Sequence, residues 1–166
     1  VTIGATTAAA STVATNATAA AYADGTSFVM GGHTITGGTT VTATQTANIT
    51  AANEVTALAD STNGEITQGA VVITGDANTT SVTSTQDALQ TDVDTGGIGR
   101  IGIVNGAVTI TDANNASTTA AGTITSMTVD SGAVVTIESG ALTNLNLSGT
   151  ITSVDADALG ALTTAA

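Results

Sequence analysis

A chain of 166 residues with 13 carboxylates, one Arg and one His carries a formal charge of −12 at neutral pH. Without clustered Lys or Arg it has no means of gripping nucleic acid or an anionic membrane surface, and without Cys it has neither disulfides nor thiolate metal sites. Thr (38), Ala (31) and Gly (19) make up more than half of the chain, Pro and Trp are absent, and Tyr22 and Phe28 are the only aromatics.

A core therefore has to come from small, mostly β-branched side chains, which suit a pleated surface better than a helix bundle. A hydrophobic fraction of 42% argues against disorder. No apolar run approaches the length of a membrane span, and no basic-then-apolar leader opens the chain. Val1 is not an initiator residue, so the chain reads as a processed or excised piece of a larger protein.

In chain order, Ala17 to Ala23 is Ala-rich but lacks an apolar stripe of helical period. Asn53 to Asp60 predicts one or two helical turns, with Asn53 as the cap. Thr91 to Gly99, two acids followed by glycines, predicts a long loop. Ala107–Thr111, Thr123–Val129, Ala133–Glu138 and Leu142–Ser148 alternate apolar and polar residues and predict strands, each closed by Gly, Asp or Ser.

Repeats set the expected architecture. "VTIGATT", "HTITGGTT", "VVITGDANTT" and "VTITDANNAST" align Ile3, Ile35, Ile73 and Ile110 at spacings of 32, 38 and 37 residues. A faster rhythm starts at Met127, Val135, Leu145 and Val154, with steps of 8, 10 and 9. Short strands at such intervals predict an all-β parallel β-solenoid, one continuous domain over residues 1–166, with Val, Ile and Leu stacked inside and Thr and Asn laddered outside. Taken as two coils apiece, the longer spacings give about eight or nine coils, at roughly 4.8 Å per coil. The competing architecture is a β-sandwich.

Gly97-x-Gly99-x-x-Gly102 fits the pattern of a dinucleotide-binding turn, which needs a buried strand before it, a helix start after it and an acid about 20 residues on. "STQDALQTDVDT" upstream is too polar for a buried strand and "IVNGAVTIT" downstream reads as a strand, so these are turn glycines. Asp92/Asp94 and Asp155/Asp157 each set two carboxylates at i and i+2, on one side of an extended segment. With Asp112, where a strand gives way to a turn, these are the candidate Ca²⁺ ligands, since calcium gathers six to eight oxygens in loose geometry. Equally, such acids can be solvated turn residues that keep strand edges from pairing.

Catalysis has little to draw on. His33 is the only imidazole, no nucleophile-elbow pattern occurs, and a polysaccharide-lyase chemistry would find only Arg100 to neutralise its substrate. The chain is not expected to be an enzyme.

"ITQGAVVITGDANTTSVTSTQ", "GRIGIVNGAVTITDANNASTTAAGTI" and "ESGALTNLNLSGT", with "VNGAVTITD" the most specific run, give the stretch from about residue 65 to 151 a resemblance to Caulobacter-type bacterial surface-layer (S-layer) proteins, calcium-dependent relatives of RTX proteins exported by type I secretion. Over residues 1–64 the likeness is one of composition. The resemblance implies an extracellular, self-assembling solenoid at the bacterial cell surface. Copies of the chain would tile as a lattice or fibre with Ca²⁺ at their contacts, and anchoring to cell-surface polysaccharide would lie in parts outside this chain. It departs from the family in lacking the helical N-terminal part, the RTX array and the secretion signal, so no calcium ligand transfers by motif. The alternative is a repeat segment of a large secreted adhesin or surface fibre that binds glycan or host protein.

Overall fold

A computed structural model of the chain describes residues 3–6, 10–19, 27–51, 65–92, 102–113, 122–157 and 164–165. Among them there is no helix, and every strand pairing is parallel. That excludes the antiparallel pairing of a β-sandwich. The predicted turns at Asn53–Asp60 lie outside the described residues. Of the predicted loop, Thr91 and Asp92 belong instead to a strand.

Among the described residues the strands form three stacks. The first contains β1 (Ile3–Thr6), β4 (His33–Thr36), β7 (Val71–Thr74) and β10 (Val108–Thr111). The second contains β2 (Ala10–Ala19), β5 (Thr40–Ala51) and β8 (Ser81–Asp92). A separate three-stranded sheet holds β3 (Ser27–Val29), β6 (Glu65–Thr67) and β9 (Gly102–Val104). Gly102 of the glycine pattern thus opens a strand and no nucleotide-binding helix.

The long strand β11 (Ser126–Glu138) joins the first two stacks: Ser126–Asp130 pairs with β8, and Val135–Glu138 pairs with β10. Next come β12 (Asn144–Asp157), laid along β11, and β13 (Thr164–Ala165), laid on β12.

The pairings correct the reading of the repeats. Ile35 lies directly beside Ile73, and Ile73 beside Ile110. A spacing of 37–38 residues is therefore one return of the chain, not two, and about eight or nine coils is an overcount. The faster rhythm has a different origin. Met127 and Val135 both sit in β11, facing Leu145 and Val154 of β12, so two short periods together make one return.

Alternation within each strand decides what is buried. Ile35, Ile73, Ile110 and Ile137 form one fully buried column, and Val71, Val108 and Val135 another. Val82, Met127, Val129, Ile124 and Leu145 close the core from the second stack, with Leu147 half-buried against it. The expectation that Val, Ile and Leu stack inside holds at these positions, at Leu147 only in part. Outside, threonines ladder along a corner: Thr80, Thr125 and Thr143 each donate Oγ1 to the carbonyl of the threonine below, Thr39, Thr80 and Thr125.

Three glutamines, Gln45, Gln68 and Gln86, are buried inside. Gln45 and Gln86 are adjacent in the β5–β8 register, and both are buried. Gln86 Nε2 donates to Gln45 Oε1 at 2.8 Å and to the Gly69 carbonyl at 3.0 Å, and Gln45 Nε2 donates to the Gly31 carbonyl at 2.8 Å. Gln68 returns the strap from the other side, to the Asp87 carbonyl. Met30, Ala47 and Ile66, also buried, stand apart from the main core cluster.

One rung higher, the Gly106 carbonyl receives the backbone N–H of Ala133 at 3.0 Å. The glutamine side chains thus bridge the interior where, in the next rung, β11 itself crosses. That crossing is why the return shortens from 37–38 residues to the 18 that separate Ser126 from Asn144. The crossing point carries a bulge between Asp130 and Gly132, with Ser131 at φ 64°. The glycines below are obligatory, since a Cβ on Gly106 would run into the Gly69 backbone.

His33 occupies the column of Val71 and is itself buried. Burial disfavours its charged form and pushes its pKa below the usual value. A depressed pKa means that the unfolded chain binds the proton more readily, so this stabilisation is whole above the unfolded value near 6.5 and is lost as pH falls below it. The melting temperature should fall between pH 7 and 5.5. His33→Val, matching its neighbours in the column, should flatten that slope; an equally steep slope in the variant would assign it to other groups.

Candidate functional site

Among the described residues, the acids singled out from the sequence do not gather into a group that could hold a metal ion. Asp92 ends β8, with its side chain outside the described residues, and Asp94 is outside them altogether. Asp155 and Asp157 lie at the end of strand β12, Asp155 exposed beside Thr136 and Asp157 beside Glu138 in the register. Asp112 follows β10 and turns inward.

Asp112 is buried, and its carboxylate organises a corner. Gly37, Gly75 and Asp112 occupy equivalent positions there: their N–H groups donate to Thr74, Thr111 and Glu138 respectively, continuing the ladders past the strand ends. Where the lower rungs have glycine, Asp112 sends a side chain into the corner. Its Oδ2 accepts from the backbone N–H of Thr123 and of Ile124, both at 2.8 Å, and from Ser139 Oγ at 3.0 Å. Ser139 Oγ also lies 3.1 Å from the Ile124 carbonyl. Gly122 gives the carboxylate its room, because a Cβ there would overlap Oδ2. The donors around Oδ2 are what a buried carboxylate needs, whereas a calcium ion needs further oxygens. The geometry makes Asp112 the tie between β10, β11 and the turn after β11.

Two acids that composition did not flag also take positions. Glu138 sits between Thr111 and Asp157 in the register, and Thr111 Oγ1 donates to its Oε2 at 3.3 Å. Aligning the strand-end residues Thr111, Glu138 and Asp157 would have placed it, but that alignment needs the register. Asp76 closes the turn after β7: its Oδ1 accepts from Asn78 N–H at 2.8 Å, and its own N–H donates to Thr79 Oγ1 at 2.8 Å. The Asn78 N–H above all holds the Asp76 carboxyl below the usual carboxylate range; desolvation, the next largest effect, opposes it, and the Gly38 and Thr79 donors add to the lowering. The string "GDANT" is a readable signal for this aspartate turn.

Among the described residues, no three of His, Cys, Asp and Glu stand close enough to hold a metal ion, and no helix is long and apolar enough to cross a membrane. What the described surface offers is the exposed Asp155, the half-buried Glu138 and the strand edge of β12. No protein-family model matches the chain, and no curated protein matches it.

Proposed function

We propose that the chain is a parallel β-solenoid segment of a bacterial surface layer, a structural protein that assembles with copies of itself outside the cell and has no catalytic role. The observation that carries the reading is the unbroken column Ile3–His33–Val71–Val108–Val135–Val154, six parallel strands in register. Strands stacked this way form a stiff rod whose length is set by the number of returns, about 4.8 Å each. Such a rod bears load along its axis and offers flat sides for packing.

Calcium is the proposed bridge between copies. At −12 and with no Lys, neighbouring chains repel unless their facing carboxylates are neutralised. The support for this is positional. Asp157 lies beside Glu138, like charges on adjacent strands, and Asp155 is two residues back on the same strand. Asp92 and Asp94 form the second proposed pair. Asp112 completes the set of proposed ligands only if it can leave the donors it already serves.

EGTA should lower the melting temperature or disperse assemblies seen by negative-stain microscopy, and Mg²⁺ should substitute poorly. Joint Asp155→Asn and Asp157→Asn, or Asp92→Asn and Asp94→Asn, should weaken the calcium response more than Glu54→Gln does. Melting and assembly indifferent to EGTA would end the calcium part of the reading. A rod that stays monomeric with calcium and binds glycan would instead mark an adhesin segment.

A further inference from the structure

Asn-x-Ser/Thr, the acceptor pattern for N-linked glycan, occurs at Asn16, Asn48, Asn78, Asn115 and Asn146. In a chain so rich in Thr the pattern alone decides little. Asn78 differs from the others in sequence and in place. It alone has an acid two residues before it, in Asp76-Ala77-Asn78-Thr79-Thr80. The side chains of Asn16, Asn48 and Asn115 lie outside the described residues. Asn146 is exposed, but it lies within β12, where the backbone is laddered to β11.

Asn78 stands on an outgrowth of the stack. Three residues, Gly37–Thr39, carry the chain from β4 to β5, and six, Gly75–Thr80, carry it from β7 to β8 one rung above. Both connections are fixed alike at their ends. Gly37 and Gly75 continue the ladders past the strand ends, and the Thr80 N–H donates to the Thr39 carbonyl at 2.9 Å. The three added residues therefore project from the corner, in a turn closed by its own groups. Asp76 Oδ1 accepts from the Asn78 N–H at 2.8 Å, and the Asp76 N–H donates to Thr79 Oγ1 at 2.8 Å. The Thr79 N–H returns to the Asp76 carbonyl at 3.0 Å, and Thr123 Oγ1 pins that carbonyl from the next rung at 3.1 Å. Thr79 is fully buried beneath the turn, while Ala77 and Asn78 are exposed at its apex.

We infer that Asn78 is an N-glycosylation acceptor, modified during export by an enzyme that transfers oligosaccharide from a lipid-pyrophosphate carrier. This rests on the reading that the chain works outside the cell, and names a modification of it. In the transfer, Asn78 Nδ2 forms the C–N bond to the anomeric carbon of the first sugar. The bond from that carbon to the carrier's pyrophosphate oxygen breaks, and the lipid pyrophosphate leaves as the anion. Nδ2 gives up one proton to a base of the transferring enzyme.

Thr80 supplies the hydroxyl that the acceptor pattern requires. In the finished fold its Oγ1 donates to the Thr39 carbonyl at 3.2 Å, so transfer belongs to the exported chain before that corner closes. The closed corner then carries the sugar without repacking. The glycan leaves from an exposed apex, and the side chain that anchors the turn inward is that of Thr79.

The test uses the full chain, exported to a bacterial periplasm that holds an oligosaccharide-transferring enzyme and its lipid-linked glycan. Intact mass should show an added glycan, and fragmentation should place it on Asn78. Asn78→Gln should lower the modified fraction at least tenfold. Its melting temperature should stay within a few degrees of the unmodified protein's, because that side chain is exposed. Thr80→Ser should keep the modification, Thr80→Val should lose it, and Asn146→Gln should leave it unchanged. An unmodified chain from cells that modify a control acceptor, or a glycan on Asn146 in place of Asn78, would overturn the site. Calcium-dependent sheets built from a chain that stays unmodified in those cells would overturn it while the surface-layer reading stands. A glycan on Asn78 of a chain that never assembles would sustain the site and sink that reading.

Discussion

A chain carrying Ile110→Asp should fail to fold. Ile110 is fully buried, held between Ile73 and Ile137 in the central column, with no polar partner at hand. Burying a lone carboxylate costs several kcal/mol even after the group takes up a proton, and the lost packing of the isoleucine adds about 2–5 kcal/mol. The sum is comparable to the whole stability of an ordinary domain, about 5–15 kcal/mol. Thr109→Asp is the matched control, since Thr109 is half-buried on the other face, in the column that holds Thr136 and Asp155. It should cost about 1 kcal/mol or less. Circular dichroism with urea titration distinguishes the two, and a soluble, cooperatively melting Ile110→Asp chain would remove Ile110 from the core.

Asp112→Ala should cost about 3–5 kcal/mol, read as a lower urea midpoint at unchanged slope. The substitution leaves the N–H groups of Thr123 and Ile124 and the hydroxyl of Ser139 without their shared acceptor in a buried corner. Hydrogen bonds to a charged group are worth about 1.5–3 kcal/mol each, and stranded donors add their own desolvation cost.

Asp112→Asn keeps one carbonyl oxygen for the two backbone donors and should be milder, about 1–2 kcal/mol. The pair separates two roles. A carboxylate that ties the fold is largely rescued by asparagine and loses stability equally with and without calcium. A calcium ligand is not rescued, and its loss appears only when calcium is present. A cost below about 1 kcal/mol for Asp112→Ala would show that the corner finds other acceptors.

Local alternation was enough to read the strands at Val108–Thr111 and in the segments around Met127 and Val135. An apolar residue at every second position faces one side whatever the partner, so Val108, Ile110, Val135 and Ile137 were legible as core. The same holds for the all-β class, because a chain rich in Thr, Val and Ile and lacking Pro has few other ways to bury itself. The aspartate turn at Asp76 is also local, a side chain closing its own loop.

Register is a different kind of quantity. It joins residues 18 to 45 positions apart and leaves no mark in either segment alone. Thus 37–38 residues could be counted as two coils when it is one. Ala133–Glu138 looked like a strand of its own when it is the second half of β11, bent at Ser131.

Gln45 in "ATQTA" and Gln86 in "STQDA" carry no local sign of burial, and lie inside because the carbonyls of Gly31 and Gly69 face them across the interior. Asp112 follows its strand much as Gly75 does. Only the tertiary structure turns its carboxylate inward, because Thr123, Ile124 and Ser139 arrive there with donors that would otherwise be buried unmet. Side-chain alternation is fixed by the backbone of a single strand, so the sequence by itself determined what faces inward along each one. Which groups meet there depended on where the chain returned, and at the glutamine bridge and the Asp112 corner that return pairs buried donors with buried acceptors.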